Sequence, residues 1–211
     1  MLAAEEAFQR LREGNQRFVS GGRDVGRLMS RTKRLDVLAG QNPFAVILGC
    51  SDSRVPVEVV FDQGLGDLFV IRVAGNVVAA SQIGSVEFAA ERFGTRLVIV
   101  MGHTQCGAVT ATLEELQQPS ERQSRNLHAI VDRIRPSVAG LLATELRNDR
   151  PELIRQAVRA NVRVAANQLR YGSDVLEQLI AEEGLRVIGA EYALETGHVD
   201  FFDGLPVDAN P

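Results

Sequence analysis

Both cysteines of this 211-residue chain and one of its three histidines lie in two short polar segments. The first segment, Cys-Ser-Asp-Ser-Arg, starts at Cys50, and the second, Gly-His-Thr-Gln-Cys-Gly, places His103 three residues before Cys106. Two thiolates and an imidazole suit zinc, and three protein ligands with one open position are typical of a catalytic site. The residues therefore favour one zinc ion per chain over the alternative that both cysteines are ordinary buried side chains.

A carboxylate and a guanidinium follow the first cysteine closely, at Asp52 and Arg54. An ionised carboxylate beside a guanidinium keeps a low pKa, and the two groups can share a fork of two hydrogen bonds. Beside a metal, the Asp52 carboxylate has two mutually exclusive uses: it accepts a hydrogen bond from metal-bound water, or it binds the metal itself. The competing interpretation of the pair is a surface salt bridge.

Four apolar runs predict strands that are buried on both faces. They span residues 44–48, 68–71, 97–101 and 185–188. Helical patterns at residues 83–93 and 107–116 alternate with them, which favours a largely parallel sheet. The predicted fold class is α/β, with a mainly parallel β-sheet flanked by helices and an N-terminal helical arm. Because the functional crevice of such a sheet lies beyond the carboxyl ends of its strands, the two polar segments should meet there.

The first forty residues predict the helical arm. Residues 3–20 form an amphipathic pattern that is broken at Gly14 and ends at Gly21. A second short helix is expected over residues 27–38.

The region after the second polar segment is predicted to be mostly helical over residues 121–180. We expect breaks near Pro136 and at residues 149–151, and a loop after Phe202. Because no linker or repeat divides the chain, residues 1–211 are expected to form a single domain.

The composition excludes several functional classes. The net charge is −4, so the chain lacks the basic excess that binding to nucleic acid requires. No apolar run approaches the roughly 18 residues that cross a bilayer, so we expect no membrane partner. Two cysteines cannot build a disulfide scaffold, and the acidic N-terminus does not resemble a signal peptide. We therefore expect a cytoplasmic protein.

The two polar segments, in this order and at this separation, closely resemble the signature segments of the β-class carbonic anhydrases. The resemblance covers roughly residues 40–110. It implies that Cys50, His103 and Cys106 bind zinc and that Asp52 and Arg54 form a catalytic dyad. The implied reaction is the reversible hydration of carbon dioxide to bicarbonate and a proton, by attack of zinc-bound hydroxide.

The resemblance also implies a homodimer or tetramer with each cleft at a subunit interface, and residues 1–40 as a helical dimerisation arm. Alignment on the family motifs places a substrate pocket at Gln41, Phe69, Phe88 and Gly107. Phe88 stands where a tyrosine is commoner, so this pocket lacks a hydroxyl group. The alternative to a pocket role is that Phe69 and Phe88 are ordinary core side chains and that Gln41 is a loop residue.

One branch of the family binds a regulatory bicarbonate against a tryptophan just before the first ligand. This chain has no tryptophan, and Ile47 stands at that place. We therefore expect Asp52 to pair with Arg54 and leave the metal open. Arg72 matches another frequent family position, and the alternative for it is a structural ion pair.

Three other functions remain open from the residues. Carbon disulfide and carbonyl sulfide hydrolases resemble this family and use the same ligand set. A non-catalytic, zinc-stabilised binding module would need neither Asp52 nor Arg54. A thiol redox protein is disfavoured because the cysteines do not form a Cys-x-x-Cys pair.

Overall fold

The computed structural model describes residues 2–22, 30–119 and 124–205 of the chain. Its helices and strands are, in chain order, α1 (Ala4–Ser20), α2 (Arg31–Asp36), β1 (Ala45–Gly49), α3 (Val57–Val60), β2 (Leu68–Arg72), α4 (Ala80–Arg92), β3 (Leu97–His103), α5 (Gly107–Gln117), α6 (Arg125–Val138), α7 (Arg150–Tyr171), α8 (Asp174–Glu182), β4 (Arg186–Tyr192) and β5 (Val199–Asp203). Short 3₁₀ turns lie at Ala74–Asn76, Ala139–Ala143 and Glu145–Asn148. The predicted α/β class and N-terminal helix are confirmed.

The strands form one sheet in the order β2-β1-β3-β4-β5. The first four are parallel to one another, whereas β5 runs antiparallel to β4. Each parallel strand begins within one residue of the apolar run that predicted it, so the mainly parallel sheet is confirmed. Gly49 of β1 lies opposite Met101 of β3, so these two strands end side by side.

Alternate side chains of the central strands enter two different cores. Ile47 of β1 belongs to a core that also contains Phe8 and Leu11 of α1 and Val57 and Val60 of α3. Leu48, the next residue, belongs to the core on the other face, with side chains from α4, α7 and α8. A strand buried on both faces requires this distribution, because successive side chains point to opposite sides.

Helix α1 is continuous, so the predicted break at Gly14 is wrong. A Cβ atom on Gly14 would lie 1.9 Å from the carbonyl oxygen of Phe61, and the glycine therefore permits a close approach rather than a turn. The helix ends as predicted at Gly21, in the left-handed region with a φ of 75°. Its apolar face packs on the chain's own sheet, and contact of this arm with a second copy stays a prediction.

The helix break predicted near Pro136 falls two residues later, because α6 continues to Val138 before it passes into 3₁₀ turns. Pro136 lacks one backbone donor, and the α-helix ends only two residues later. The break at residues 149–151 is confirmed. There the Asp149 side chain accepts a hydrogen bond from the backbone N–H of Glu152 at 3.2 Å and caps α7.

Strand β5 is absent from the predicted set, and the tail assigned to a loop after Phe202 begins one residue too early. The charged Asp200 interrupts the apolar pattern of this edge strand. Within the predicted second helix, α2 begins after Ser30, whose side chain accepts from the backbone N–H of Lys33. The expected structure at residues 27–29, 121–123 and 206–211 lies outside the described residues. No helix in the described ranges has the length and apolar character needed to cross a membrane.

The packing of α1 predicts opposite outcomes for two glycine substitutions. We expect Gly14→Ala to lower the free energy of unfolding by about 1–3 kcal/mol, because its methyl group overlaps backbone atoms of the neighbouring segment. Gly84→Ala in α4 is the control. Outside the backbone of α4 itself, no atom of the described residues lies within 4 Å of its added Cβ, so helix propensity predicts a gain of about 0.5–1 kcal/mol. Urea denaturation measures both, and an unchanged midpoint for Gly14→Ala would contradict the close approach.

Candidate metal centre

Cys50, His103 and Cys106 meet beyond the carboxyl ends of β1 and β3. Cys50 directly follows β1, His103 is the last residue of β3, and Cys106 is the N-cap of α5. Their potential ligand atoms all lie within 4.8 Å of one another, and all three residues are buried. The structure therefore brings together the three residues whose types and spacing predicted a metal site.

The imidazole of His103 presents one nitrogen to the two sulfurs. Its Nδ1 lies 2.9 Å from the carbonyl oxygen of Thr104, which can only accept, so Nδ1 carries the proton. Its Nε2 is buried and has no hydrogen-bond partner among the described residues. A buried polar atom normally has a partner, and a metal ligand with its other ring nitrogen bound to a carbonyl has this arrangement.

The two thiols differ in their readiness to ionise. A hydrogen bond with Cys106 lowers the pKa of Cys50, and the backbone N–H of Gly75, 3.4 Å from the Cys50 sulfur, acts in the same direction. The hydrogen bond with Cys50, together with burial, raises the pKa of Cys106. The two sulfurs therefore share one proton, with the thiolate favoured at Cys50, and a cation bound between them would favour the loss of this proton.

The sequence motifs miss two residues that support Cys50. Gly75 adopts a φ of 65°, and a Cβ atom there would lie 2.7 Å from Ile134 Cδ1. The buried Asn161 of α7 donates from Nδ2 to the carbonyl oxygen of Gly75 at 2.8 Å and so holds the turn whose N–H points at the sulfur. The spacing of Gly75 and Asn161 in the sequence does not indicate that they support a ligand, because both act through the backbone groups of the turn.

Asp52 and Arg54 form the predicted pair beside the buried trio. Arg54 donates from Nε to Asp52 Oδ1 at 3.0 Å and from Nη2 to Oδ2 at 2.8 Å. This hydrogen-bonded guanidinium holds the pKa of Asp52 well below its usual range. Oδ2 lies 3.8 Å from Nε2 of His103. The expected pairing of Asp52 with Arg54 is thus confirmed, and it takes place at the mouth of the cluster.

Arg72, at the end of β2, holds the loop that carries Cys50 and Asp52. Its Nε donates to the carbonyl oxygen of Cys50 at 3.0 Å, and its Nη2 donates to that of Asp52 at 2.6 Å. Arg72 acts on the backbone of the site loop, whereas the alternative from the sequence was an ion pair.

Only Gly107 of the four predicted pocket residues lies beside the Cys50–His103–Cys106 cluster within the same chain. Gly107 opens α5 directly after Cys106 and is exposed. Phe69 lies opposite Val46, four residues before Cys50, and its ring is 6.2 Å from that of Phe88.

Gln41 is exposed and precedes β1, at the end of the strand opposite to Cys50. Phe88 is 52% exposed on α4. Because the strand separates Gln41 from Cys50, and Phe69 and Phe88 lie back along the sheet, these three do not surround the sulfurs of the same chain.

The comparisons with known proteins agree with this geometry. A family model described as carbonic anhydrase matches residues 45–199. Carbonic anhydrase 2 of Mycobacterium tuberculosis is 38% identical over 191 residues, which are 90% of this chain and 89% of that protein.

Two solved structures share the fold. The β-carbonic anhydrase CcaA is 28% identical with a TM-score of 0.74, over 93% of this chain and 95% of that chain. The β-carbonic anhydrase CafA of Aspergillus fumigatus is 29% identical with a TM-score of 0.73, over 83% of each chain. The matched residues contain the whole Cys50–His103–Cys106 cluster and the Asp52–Arg54 pair, and the chain belongs to the β-carbonic anhydrase family.

Proposed function

We propose that this protein hydrates carbon dioxide reversibly to bicarbonate and a proton, with one zinc ion per chain bound by Cys50, His103 and Cys106. Reversible hydration is the activity of the family to which the chain belongs. The observation that carries the proposal is the buried cluster of three ligand atoms with the Asp52 carboxylate fixed at its mouth. A structural zinc site has no need of a carboxylate held in that place.

The three side chains fit zinc by their chemistry. Two sulfurs and one imidazole nitrogen form a soft set of three ligands, and the buried Nε2 of His103 has no other partner in the described chain. Zinc bound there would act as a Lewis acid that lowers the pKa of a coordinated water. Two thiolates neutralise the charge of a dication, so the protein's own groups must help to remove the proton.

Asp52 is the group placed for that task. Arg54 fixes both carboxylate oxygens and keeps the pKa of Asp52 low, so the side chain stays ionised and can accept a hydrogen bond. Arg72 holds the backbone of the same loop. The carboxylate is therefore oriented before any substrate arrives, as an acceptor for a hydrogen bond from a coordinated water that stabilises the developing hydroxide.

We further propose that a second copy of the chain completes the substrate pocket. Gln41, Phe69 and Phe88 lie away from the sulfurs of their own chain, and Phe88 presents an exposed aromatic ring beside Phe69 and Phe93. Carbon dioxide is uncharged and forms weak hydrogen bonds, so an apolar wall suits it. A homodimer, or a tetramer built from dimers, would bring this surface to the site of a partner.

We also propose a cytoplasmic location, because both thiol ligands must stay reduced to bind a metal. The negative net charge argues against nucleic acid as a partner.

Metal analysis tests the proposed ligands. We expect about one zinc per parent chain, as a three-ligand site requires, and loss of most of it in His103→Gln, which removes the buried nitrogen. His128→Gln, on the half-exposed part of α6, is the control and should keep its zinc. Elemental analysis after gel filtration measures both. A parent without zinc, or full zinc content in His103→Gln, would contradict the site.

Asp52→Asn separates catalysis from metal binding. We expect the variant to keep its zinc and to lose about 10²-fold in kcat, because the neutral amide keeps only one of the two oxygens that Arg54 orients and is a weaker hydrogen-bond acceptor for a coordinated water. Asp132→Asn is the control, since Asp132 forms an exposed pair with Arg135 on α6. Stopped-flow hydration of carbon dioxide measures the rate. Activity on carbon disulfide alone, or a kcat of Asp52→Asn equal to the parent's, would overturn the proposal.

A mixed dimer tests whether the pocket comes from the second copy. Asp52→Asn chains and Phe88→Asp chains are co-expressed with different tags, and the dimer that carries both tags is purified. If Phe88 lines the site of the partner chain, both substitutions fall in the same site of the mixed dimer and the other site is intact. The activity should then be roughly half of the parent's. If Phe88 serves its own site, the mixed dimer has at most half the activity of the Phe88→Asp protein.

A further inference from the structure

We propose that Glu195 is a positioning residue that holds the turn between His103 and Cys106 and thereby fixes the geometry of both ligands. The inference rests on the proposed metal site, but it concerns a residue outside both sequence motifs. Glu195 lies in the turn between β4 and β5.

The register of the sheet brings this turn to the site. Tyr192, the last residue of β4, is paired with His103, the last residue of β3. The segments that follow these two strands therefore run side by side. The backbone N–H of Thr104 continues the ladder and donates to the carbonyl oxygen of Tyr192 at 2.9 Å.

The Glu195 carboxylate uses both oxygens on the two residues between the ligands. Oε2 accepts from the Thr104 hydroxyl at 2.9 Å, and Oε1 accepts from Nε2 of Gln105 at 2.7 Å. Hydrogen bonds to an ionised acceptor are stronger than those between neutral groups. One side chain thus grips every residue of the turn that is not itself a ligand.

Thr104 transmits this restraint to the imidazole. Its hydroxyl donates to Glu195 and also accepts from the backbone N–H of Leu194 at 3.0 Å, so its position is fixed from two sides. Its carbonyl oxygen accepts from Nδ1 of His103 at 2.9 Å. Because this bond sets the tautomer and the orientation of the ring, movement of Thr104 would turn the Nε2 atom away from the two sulfurs.

Gln105 needs a restraint for a different reason. Its φ is 58°, in the left-handed region that non-glycine residues rarely adopt. This conformation reverses the chain so that Cys106 returns to the cluster at the start of α5. Strained backbone persists where the surroundings hold it in place, and the bond from the Gln105 amide to Glu195 supplies such a contact.

The experiment compares Glu195→Gln with Glu183→Gln. Glutamine keeps the size of the side chain but removes its charge and one acceptor. Glu183 is a matched control, because it is exposed and pairs with Arg96 in the segments before β4 and β3, at the opposite ends of the same two strands. The first readout is the rate at which zinc passes to an excess of chelator.

We expect Glu195→Gln to lose zinc about tenfold faster than the parent, since outer contacts of metal ligands have effects of this order. Glu183→Gln should match the parent. The second readout is amide hydrogen exchange at residues 104–107 in chelator-treated protein, which should be faster in Glu195→Gln alone. This readout does not depend on zinc. A parent that binds no zinc would refute the proposed function, and the exchange rates would still decide the role of Glu195.

A double variant tests the route through Thr104. Thr104→Val removes the hydroxyl at constant shape, and its effect on the rate of zinc loss should overlap with that of Glu195→Gln. We expect the double variant to lose zinc no more than about twofold faster than the more affected single variant. Multiplication of the two separate effects, or rates of zinc loss and exchange in Glu195→Gln equal to those of Glu183→Gln, would overturn the proposal.

Discussion

The parallel pairing of β1 with β3 is the constraint on which the Cys50–His103–Cys106 cluster depends. Gly49 lies opposite Met101, so Cys50 leaves the sheet next to the point where His103 ends β3. Neighbouring strands are about 4.8 Å apart, so side chains at the ends of two neighbours can bring their ligand atoms within 4.8 Å of one another, as observed. If the pairing of the two strands shifted by one residue, every side chain of the shifted strand would point to the opposite face of the sheet, and the two sulfurs would move apart. The buried runs that specify the two cores therefore also specify the site.

The same edge of the sheet delivers the groups that support the ligands. Arg72 ends β2 and holds the loop after β1, while Gly75 follows β2 and directs its N–H at the Cys50 sulfur. The turn after β4 brings Glu195 to the segment after β3. Residues from the ends of β2 and β4 thus hold the cluster on both sides. Because the order of the sheet places these two strands beside β1 and β3, it also determines how the ligands are oriented.

The sequence predicts the ligands and the dyad but not the residues that hold them. Cys50, His103 and Asp52 are rare or charged residue types at fixed offsets from apolar runs, so their spacing carries information. Asn161 and Glu195 contact backbone groups or polar side chains that are far away in the chain. Such contacts leave no regular spacing in the sequence from which they could be predicted. One error in the fold has the same origin: Gly14 has the local signature of a helix break, but its environment is set by the carbonyl of Phe61, 47 positions later.

The two arginines of the site favour one of the two uses that the Asp52 carboxylate could have beside a metal. Arg54 occupies both oxygens of Asp52, and a carboxylate that already accepts two charge-assisted hydrogen bonds is a weaker competitor for a cation. Arg72 fixes the backbone on which that carboxylate stands. To bind the metal, the Asp52 carboxylate would have to move to bonding distance and weaken these bonds, whereas a free lone pair can accept a hydrogen bond from a coordinated water with Arg54 still in place. The structure therefore favours the use of Asp52 as an acceptor over its use as a fourth ligand.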